Sequence, residues 1–178
     1  GLTPNDLRAA LGLVKGDIIL IGDSLTRQWF EHLSCYLGAW ESWSGFVKVP
    51  IEHHRDAFET AITESLMAFS PSFKKRGNLG ISKLGVGFSE FGAFDIPPDI
   101  NGGPSQKIIM NMVNEKTITE VEDLITYFNT RYPSDFHRGE PLFIINLGLH
   151  YKMRQAQDLK DHLYVLAKAC HDLGAQCI

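Results

Sequence analysis

The sequence contains no apolar run long enough to cross a bilayer, which takes about 20 consecutive apolar residues in a helix. Basic residues are not in excess either, since 17 Lys and Arg stand against 21 Asp and Glu, for a net charge of -4. Proteins that bind nucleic acid usually carry a basic surface. We therefore expect no transmembrane segment in this chain and no nucleic-acid partner.

Cysteine is scarce as well. The three cysteines, Cys35, Cys170 and Cys177, have no spacing that suggests a zinc site, and an odd number cannot all pair within one chain. No Asn-x-Ser/Thr sequon occurs, and no internal repeat or low-complexity tract is visible. The redox compartment stays open at this point, and we expect no metal and no other cofactor.

The length and composition are those of one globular domain. A chain of 178 residues, 44% hydrophobic and 21% charged, buries a sizeable core without disulfide or metal support. It begins at Gly1 rather than Met and shows no charged-then-apolar leader. We expect it to be a mature product or a piece of a longer protein.

The stretch that organises the chain is Asp17 to Leu37. A continuous apolar run, Ile18 to Ile21, lies between Gly16-Asp17 and Gly22-Asp23, which is typical of a strand buried on both faces. The residues that follow have the spacing of one apolar helix face and are predicted to point inward: Leu25, Trp29, Phe30, Leu33, Tyr36 and Leu37.

Ser24 thus lies between a buried strand and a helix. A tight strand-to-helix turn holds a side chain outward, and the first helical turn offers N–H groups to a developing negative charge. This position suits a nucleophile. The alternative is that Asp23 or Ser24 is simply the N-cap of the helix, since both residue types accept hydrogen bonds from the first helical N–H groups.

The remaining pattern alternates between helices and strands. A first helix is predicted over Leu2 to Val14, with Thr3 as N-cap, Pro4 at its first position and an inward face of Leu7, Ala10, Leu11 and Val14. Further helices are predicted over residues 55–69, after a capping box at residues 117–120, and near the end with Leu159, Leu163, Leu166 and Cys170 inward. Strands are predicted over residues 46–49, 81–88, 107–113, 142–146 and from 175 onward.

Glycine and proline interrupt the middle of the chain, and the segment Asp95 to Asp99 is predicted to be a surface excursion. The alternation elsewhere predicts a parallel sheet with helices on both faces. In such sheets the ligand site lies at the carboxyl ends of the strands. Ser24 and the segment Gly148 to His150 both follow such ends.

Two separated blocks carry a family resemblance. Gly22-Asp23-Ser24-Leu25 after a buried strand resembles the first block of the GDSL or SGNH hydrolases. With the following Thr26-Arg27-Gln28-Trp29 it is closer to the PC-esterase branch, and especially to the neurexophilin and PC-esterase domain family. The later block of that family, an apolar strand running into a Gly-x-His-aromatic turn, looks like Ile144 to Tyr151 here. The resemblance covers roughly residues 16–37 and 140–178.

The resemblance implies a single three-layer α/β/α SGNH-like domain over residues 1–178 with a mostly parallel sheet. It makes Ser24 the nucleophile of acyl-ester chemistry. His150 takes the place of the usual Asn as a side-chain donor to the oxyanion, or alternatively is the base itself. Asp23, Arg27, Gly148 and Tyr151 are the candidate substrate-binding residues. A glycine in the middle region, such as Gly85, is a further candidate donor.

One departure from the family pattern is serious. SGNH enzymes usually supply the base from a late Asp-x-x-His block, and no Asp in this chain is followed three residues later by His. Either the domain is truncated and that block lies beyond Ile178, or the chain is a catalytically inactive relative. The alternative function is accordingly an SGNH-like scaffold that serves as a binding or assembly subunit with a protein partner.

The activity that the resemblance implies is removal of an acyl ester from a glycan, or transfer of an acetyl group to one, through an acyl-Ser24 intermediate. The partner would be an acylated or acyl-accepting glycan. The resemblance also implies the lumen of the secretory pathway, such as the Golgi, or the cell exterior.

Other residues are weaker candidates. The pair His53-His54 lacks a carboxylate at ligand spacing and is interpreted as a solvated helix terminus. Trp40 and Trp43 are candidate sugar platforms, whereas Trp29 is assigned to the core. Arg27, one turn after Ser24, either holds the substrate or forms a surface salt bridge.

Overall fold

The computed structural model describes residues 1–39, 46–50, 88–96, 106–113, 140–146 and 155–178. The elements in these ranges, in chain order, are α1 (Pro4–Leu11), β1 (Ile18–Gly22), α2 (Ser24–Tyr36), β2 (Val47–Pro50), β3 (Phe88–Ile96), β4 (Gln106–Val113), β5 (Leu142–Asn146), α3 (Ala156–Asp172) and β6 (Gln176–Cys177). The helices predicted over residues 55–69 and after residue 117, and nearly all of the strand predicted over 81–88, lie outside the described residues.

These strands form one sheet in the order β2-β3-β4-β1-β5-β6. β1 pairs in parallel with β4 on one side and β5 on the other, and β6 pairs in parallel with β5. β3 runs antiparallel to β4 and to β2. The predicted α/β class with a mostly parallel sheet is confirmed, and the antiparallel pairings at one side are a feature that the alternation of elements did not predict.

Both faces of the central strands are buried, as a parallel sheet requires. On one face, Ile18, Leu20, Ile108 and Met110 form a cluster with Phe30, Leu37 and Phe94. On the other face, the alternate side chains are equally buried: Ile19, Ile21, Phe91 and Ile109. The prediction that Ile18 to Ile21 is a fully buried strand is confirmed.

α1 begins as predicted, with Thr3 as N-cap and Pro4 in the first turn. Thr3 and Asp6 form a reciprocal capping box, and hydrogen bonds from the Thr3 side chain and backbone lower the pKa of the Asp6 carboxyl. Leu7, Leu11 and Val14 pack against the core cluster. The inward placement of Ala10 is wrong, because its side chain is exposed.

The inward face of α2 differs from the prediction. The buried positions are Thr26, Phe30 and Ser34, followed by Leu37. Leu25, Trp29 and Tyr36 are exposed, and Trp29 in particular is 51% exposed rather than part of the core. The polar residues Thr26 and Ser34 thus lie on the buried face, at positions that the apolar spacing did not predict. Ser34 is accommodated there because its hydroxyl donates to the Glu31 carbonyl oxygen at 2.8 Å.

β3 replaces part of the predicted surface excursion, since Asp95 and Ile96 are its last two residues and Ile96 is buried. Gly92 in the middle of this strand is not a turn residue. A Cβ at Gly92 would lie 2.9 Å from both the Phe30 and the Phe46 rings, so the glycine lets two aromatic side chains approach the strand.

The end of the chain forms a corner closed by a disulfide. α3 carries Leu166 and Cys170 inward, whereas Leu163, predicted to be inward, is exposed. Gln176 and Cys177 then form β6, which confirms the strand predicted there. Cys170 and Cys177 are joined by a disulfide, and Cys35 is a free, exposed thiol. Within the described ranges no helix has the length and apolarity to cross a membrane.

Candidate active site at the end of strand β1

Ser24 is the first residue of α2 and its side chain is exposed. The chain reaches it from β1 through Asp23 alone, because β1 ends at Gly22. The sequence folds this way because a continuous aliphatic run favours a buried strand and the following polar pair begins a helix. A hydroxyl is thus held at the carboxyl edge of the sheet, beside the amino end of a helix.

Asp23 is the N-cap of α2. Its backbone is extended, and its carboxylate Oδ1 accepts a hydrogen bond from the Leu25 N–H at 2.8 Å. The side chain is only 2% exposed. Of the two N-cap candidates, Asp23 is therefore confirmed and Ser24 excluded. The role of Asp23 in substrate binding stays a prediction, and the observed contact is one that fixes the turn in front of Ser24.

Gly22 leaves no room for a side chain. A Cβ there would overlap Thr26 Oγ1 and the backbone carbonyl oxygen of Asn146. The same carbonyl accepts a hydrogen bond from the Asp23 N–H at 3.3 Å. The turn before Ser24 is therefore in close contact with the end of β5. Thr26 is buried, and its Oγ1 has no hydrogen-bond partner among the described residues.

Arg27 lies one turn after Ser24 with its Nε 3.2 Å from Glu31 Oε1. Its guanidinium carbon lies 4.4 Å from the centroid of the Phe46 ring, a cation–π distance. The predicted surface salt bridge is confirmed. A role in substrate binding stays a prediction. Phe46 is the neighbour that sequence reasoning missed, because it lies 19 positions after Arg27 and the residues between them give no sign of the contact.

The second predicted block begins beside the first. In the parallel register of β1 and β5, Gly22 pairs with Asn146, so β5 ends at the same edge and the same level as β1. Gly148 follows Asn146 by two residues in the sequence. Gly148, His150, Tyr151 and Gly85 themselves lie outside the described residues. Their contacts with Ser24 stay predictions.

Within the described part of the chain, no three His, Cys, Asp or Glu side chains come together as a metal site would require. The pair His53-His54 and the candidate sugar platforms Trp40 and Trp43 lie outside that part.

No protein-family model matches this chain, and no curated protein or solved structure matches it either. The likeness to the GDSL and SGNH hydrolases therefore rests on the two sequence blocks, and its functional content is a proposal.

Proposed function

We propose that this chain is a serine O-acyl esterase or O-acetyltransferase that acts on glycans, built on a three-layer α/β/α SGNH-like domain. The observation that carries the proposal is the position of Ser24. It is an exposed serine at the start of a 13-residue helix, two residues after the end of a buried parallel strand whose last residue pairs with the end of β5. This combination suits a nucleophile, which needs access to substrate and a rigid support.

In the proposed reaction, Ser24 Oγ attacks the carbonyl carbon of an ester while a base takes the hydroxyl proton. The tetrahedral intermediate then expels the alcohol, which regains a proton, and leaves an acyl-serine. Water completes hydrolysis, and a sugar hydroxyl completes transfer. The Leu25 N–H is bonded to Asp23, so the proposed oxyanion donors are the Ser24 N–H and groups in the segment after β5, with His150 among them.

The alternative is an inactive scaffold that binds a partner protein. The observation that favours it is the absence of an Asp-x-x-His block from the 178 residues. Both proposals place the protein in the secretory lumen or outside the cell. The Cys170–Cys177 disulfide is compatible with such an oxidising compartment.

A fluorophosphonate probe, which forms a covalent adduct with activated serines, separates the two proposals. We expect the full-length protein to gain one adduct, mapped to Ser24 by peptide mass spectrometry, and the Ser24→Ala variant to gain none. Ser34→Ala is the matched control, because Ser34 lies on the same helix but is buried. An unlabelled full-length protein contradicts the enzyme and supports the scaffold.

Two substitutions at His150 then separate its candidate roles. His150→Asn keeps a side-chain donor, so an oxyanion role predicts that most of the labelling rate is retained. His150→Ala removes the donor, and the rate should fall about 100- to 1000-fold. Equal losses in both variants would instead identify His150 as the base.

A further inference from the structure

The exposed face of α2 carries a cavity of about 460 Å³, whose described lining is Trp29, His32, Leu33 and Tyr36. Trp29 and Tyr36 are 51% and 43% exposed. Contiguous exposed apolar patches mark binding sites, whereas single exposed apolar residues are ordinary, and here the two aromatic side chains line one cavity. The volume lies in the range of small-molecule sites.

The spacing of the two aromatic residues aligns the cavity with the axis of α2. Trp29 and Tyr36 are seven residues apart, so they lie on the same side of the helix, two turns and about 10 Å apart along its axis. His32 lies on the turn between them. The arrangement is a row of ring, imidazole and ring, which suits a ligand made of consecutive ring-shaped units.

The chemistry of the row is mixed. Each aromatic ring offers an apolar face, whereas the indole N–H, the imidazole nitrogens and the phenol oxygen offer polar edges. The Tyr36 hydroxyl donates to the Leu2 carbonyl oxygen, and its own oxygen keeps the capacity to accept. The described lining consists of two aromatic rings, an imidazole and an aliphatic side chain, groups that can contact a neutral ligand without an ion pair.

A pyranose ring matches these properties, because it has an apolar C–H face and a rim of hydroxyl groups. An aliphatic chain would cover the polar edges of Trp29 and His32 without pairing them, which is unfavourable. We propose that the cavity binds the carbohydrate part of the substrate, with Trp29 and Tyr36 stacked on neutral sugar rings. The inference rests on the proposed function, since the same helix begins at Ser24, five residues before Trp29.

Saturation-transfer NMR on the full chain tests the inference with three neutral probes, namely xylohexaose, cellohexaose and chitohexaose. We expect at least one to receive saturation, and titration calorimetry with that probe then measures its binding to every variant, including the one that lacks Trp29. Trp29→Ala and Tyr36→Ala should each weaken that binding roughly tenfold. Tyr36→Phe keeps the ring and should bind within a few-fold of wild type.

Tyr164→Ala is the matched control, because Tyr164 is 71% exposed on α3 and lies away from the cavity lining. Its binding should equal that of the wild type. No binding of any probe, or equal binding by all four variants, overturns the inference. A concentration-dependent dimer in sedimentation that Trp29→Ala abolishes also overturns it, because the face would then bind a second copy of the chain.

The outcome is independent of the fluorophosphonate result. Oligosaccharide binding by Ser24→Ala, together with an unlabelled wild type, supports the cavity and refutes the acyl chemistry. Labelling of Ser24 without binding of any probe refutes the cavity and leaves the acyl chemistry in place.

Discussion

Gly22 and Asn146, paired across β1 and β5, approach so closely that a methyl group on Gly22 would overlap the Asn146 carbonyl oxygen. That oxygen belongs to the backbone and cannot rotate away. The close approach lies at the last pair of the parallel register between β1 and β5. The strand that leads to Ser24 and the strand that precedes Gly148 in the sequence therefore end side by side.

The first prediction concerns Gly22→Ala. We expect the free energy of unfolding to fall by about 1–3 kcal/mol or more, because a methyl group is forced into a filled space. Urea denaturation measures the change. Gly12→Ala is the matched control, since Gly12 has helical backbone angles and its added Cβ would lie 3.3 Å from the nearest atom. A Gly22→Ala protein as stable as the control would contradict the close approach.

The second prediction concerns the cap of α2. Asp23→Ala removes the acceptor of the Leu25 N–H and should lower the free energy of unfolding by about 1 kcal/mol. Asp23→Asn keeps a side-chain oxygen and should recover most of the loss. Denaturation curves of the three proteins give the comparison. Equal losses in the Ala and Asn variants would show that the carboxylate charge, and not the cap, matters at this position.

The third prediction separates Trp29 from its neighbour Phe30. Phe30 is fully buried against Phe94, with ring centroids 4.9 Å apart. Phe30→Ala should cost about 3–5 kcal/mol, and Trp29→Ala, on the exposed face, less than about 1 kcal/mol. Thermal or chemical denaturation tests both. Large losses of similar size in both variants would restore the helix face that the apolar spacing predicted, which contained both residues.

The fourth prediction concerns the corner between α3 and β6. A double Cys170→Ser, Cys177→Ser variant should lose about 2–3 kcal/mol, because the disulfide closes a short loop in the unfolded chain. Cys35→Ser should be neutral. Alkylation of the unfolded, unreduced protein should modify one thiol, and three after reduction. Modification of all three without reductant would contradict the disulfide.

The fifth prediction concerns Arg27. Glu31→Gln should cost no more than about 0.5 kcal/mol, because the ion pair is partly exposed to solvent. Arg27→Lys should cost more, since a lysine replaces the planar group over Phe46 with a compact charge. A double-mutant cycle between Arg27→Lys and Phe46→Leu measures the stacking directly. A coupling free energy of zero would mean that the two side chains do not interact in solution.

The sequence predicted well where one local signal was strong. The four aliphatic residues of β1, the Thr3-Pro4 start of α1 and the apolar run of β5 each had a composition that suits one conformation. The helix face of α2 was mispredicted because Thr26 and Ser34 are polar but buried. The burial of Thr26 depends on close packing, and that of Ser34 on the hydrogen bond from its hydroxyl to the Glu31 carbonyl oxygen. Apolar spacing alone cannot reveal either cause.

β3 was missed for a related reason. Gly92 in isolation indicates a turn. The strand needs a glycine at this position because the Phe30 and Phe46 rings approach it, and both residues lie more than 40 positions away in the sequence. The antiparallel pairing of β3 likewise depends on long-range partners. For the candidate site, the sequence predicted that Ser24 lies between a buried strand and a helix, and this position is confirmed. The close approach of Gly22 to the Asn146 carbonyl oxygen was not predicted, because it depends on a strand distant in the sequence.

The ring contacts around Phe30 have one more consequence. Arg27 lies over Phe46, the Phe46 and Phe30 centroids are 5.8 Å apart, and Phe30 contacts Phe94 on the sheet. These four side chains form a column that runs from the solvent beside Ser24 down to β3. Closely packed interiors transmit small displacements rather than absorb them. A change in side-chain volume at Phe94 should therefore shift the Arg27 guanidinium at the surface. The geometry beside Ser24 thus depends on buried side chains of the sheet as well as on exposed ones.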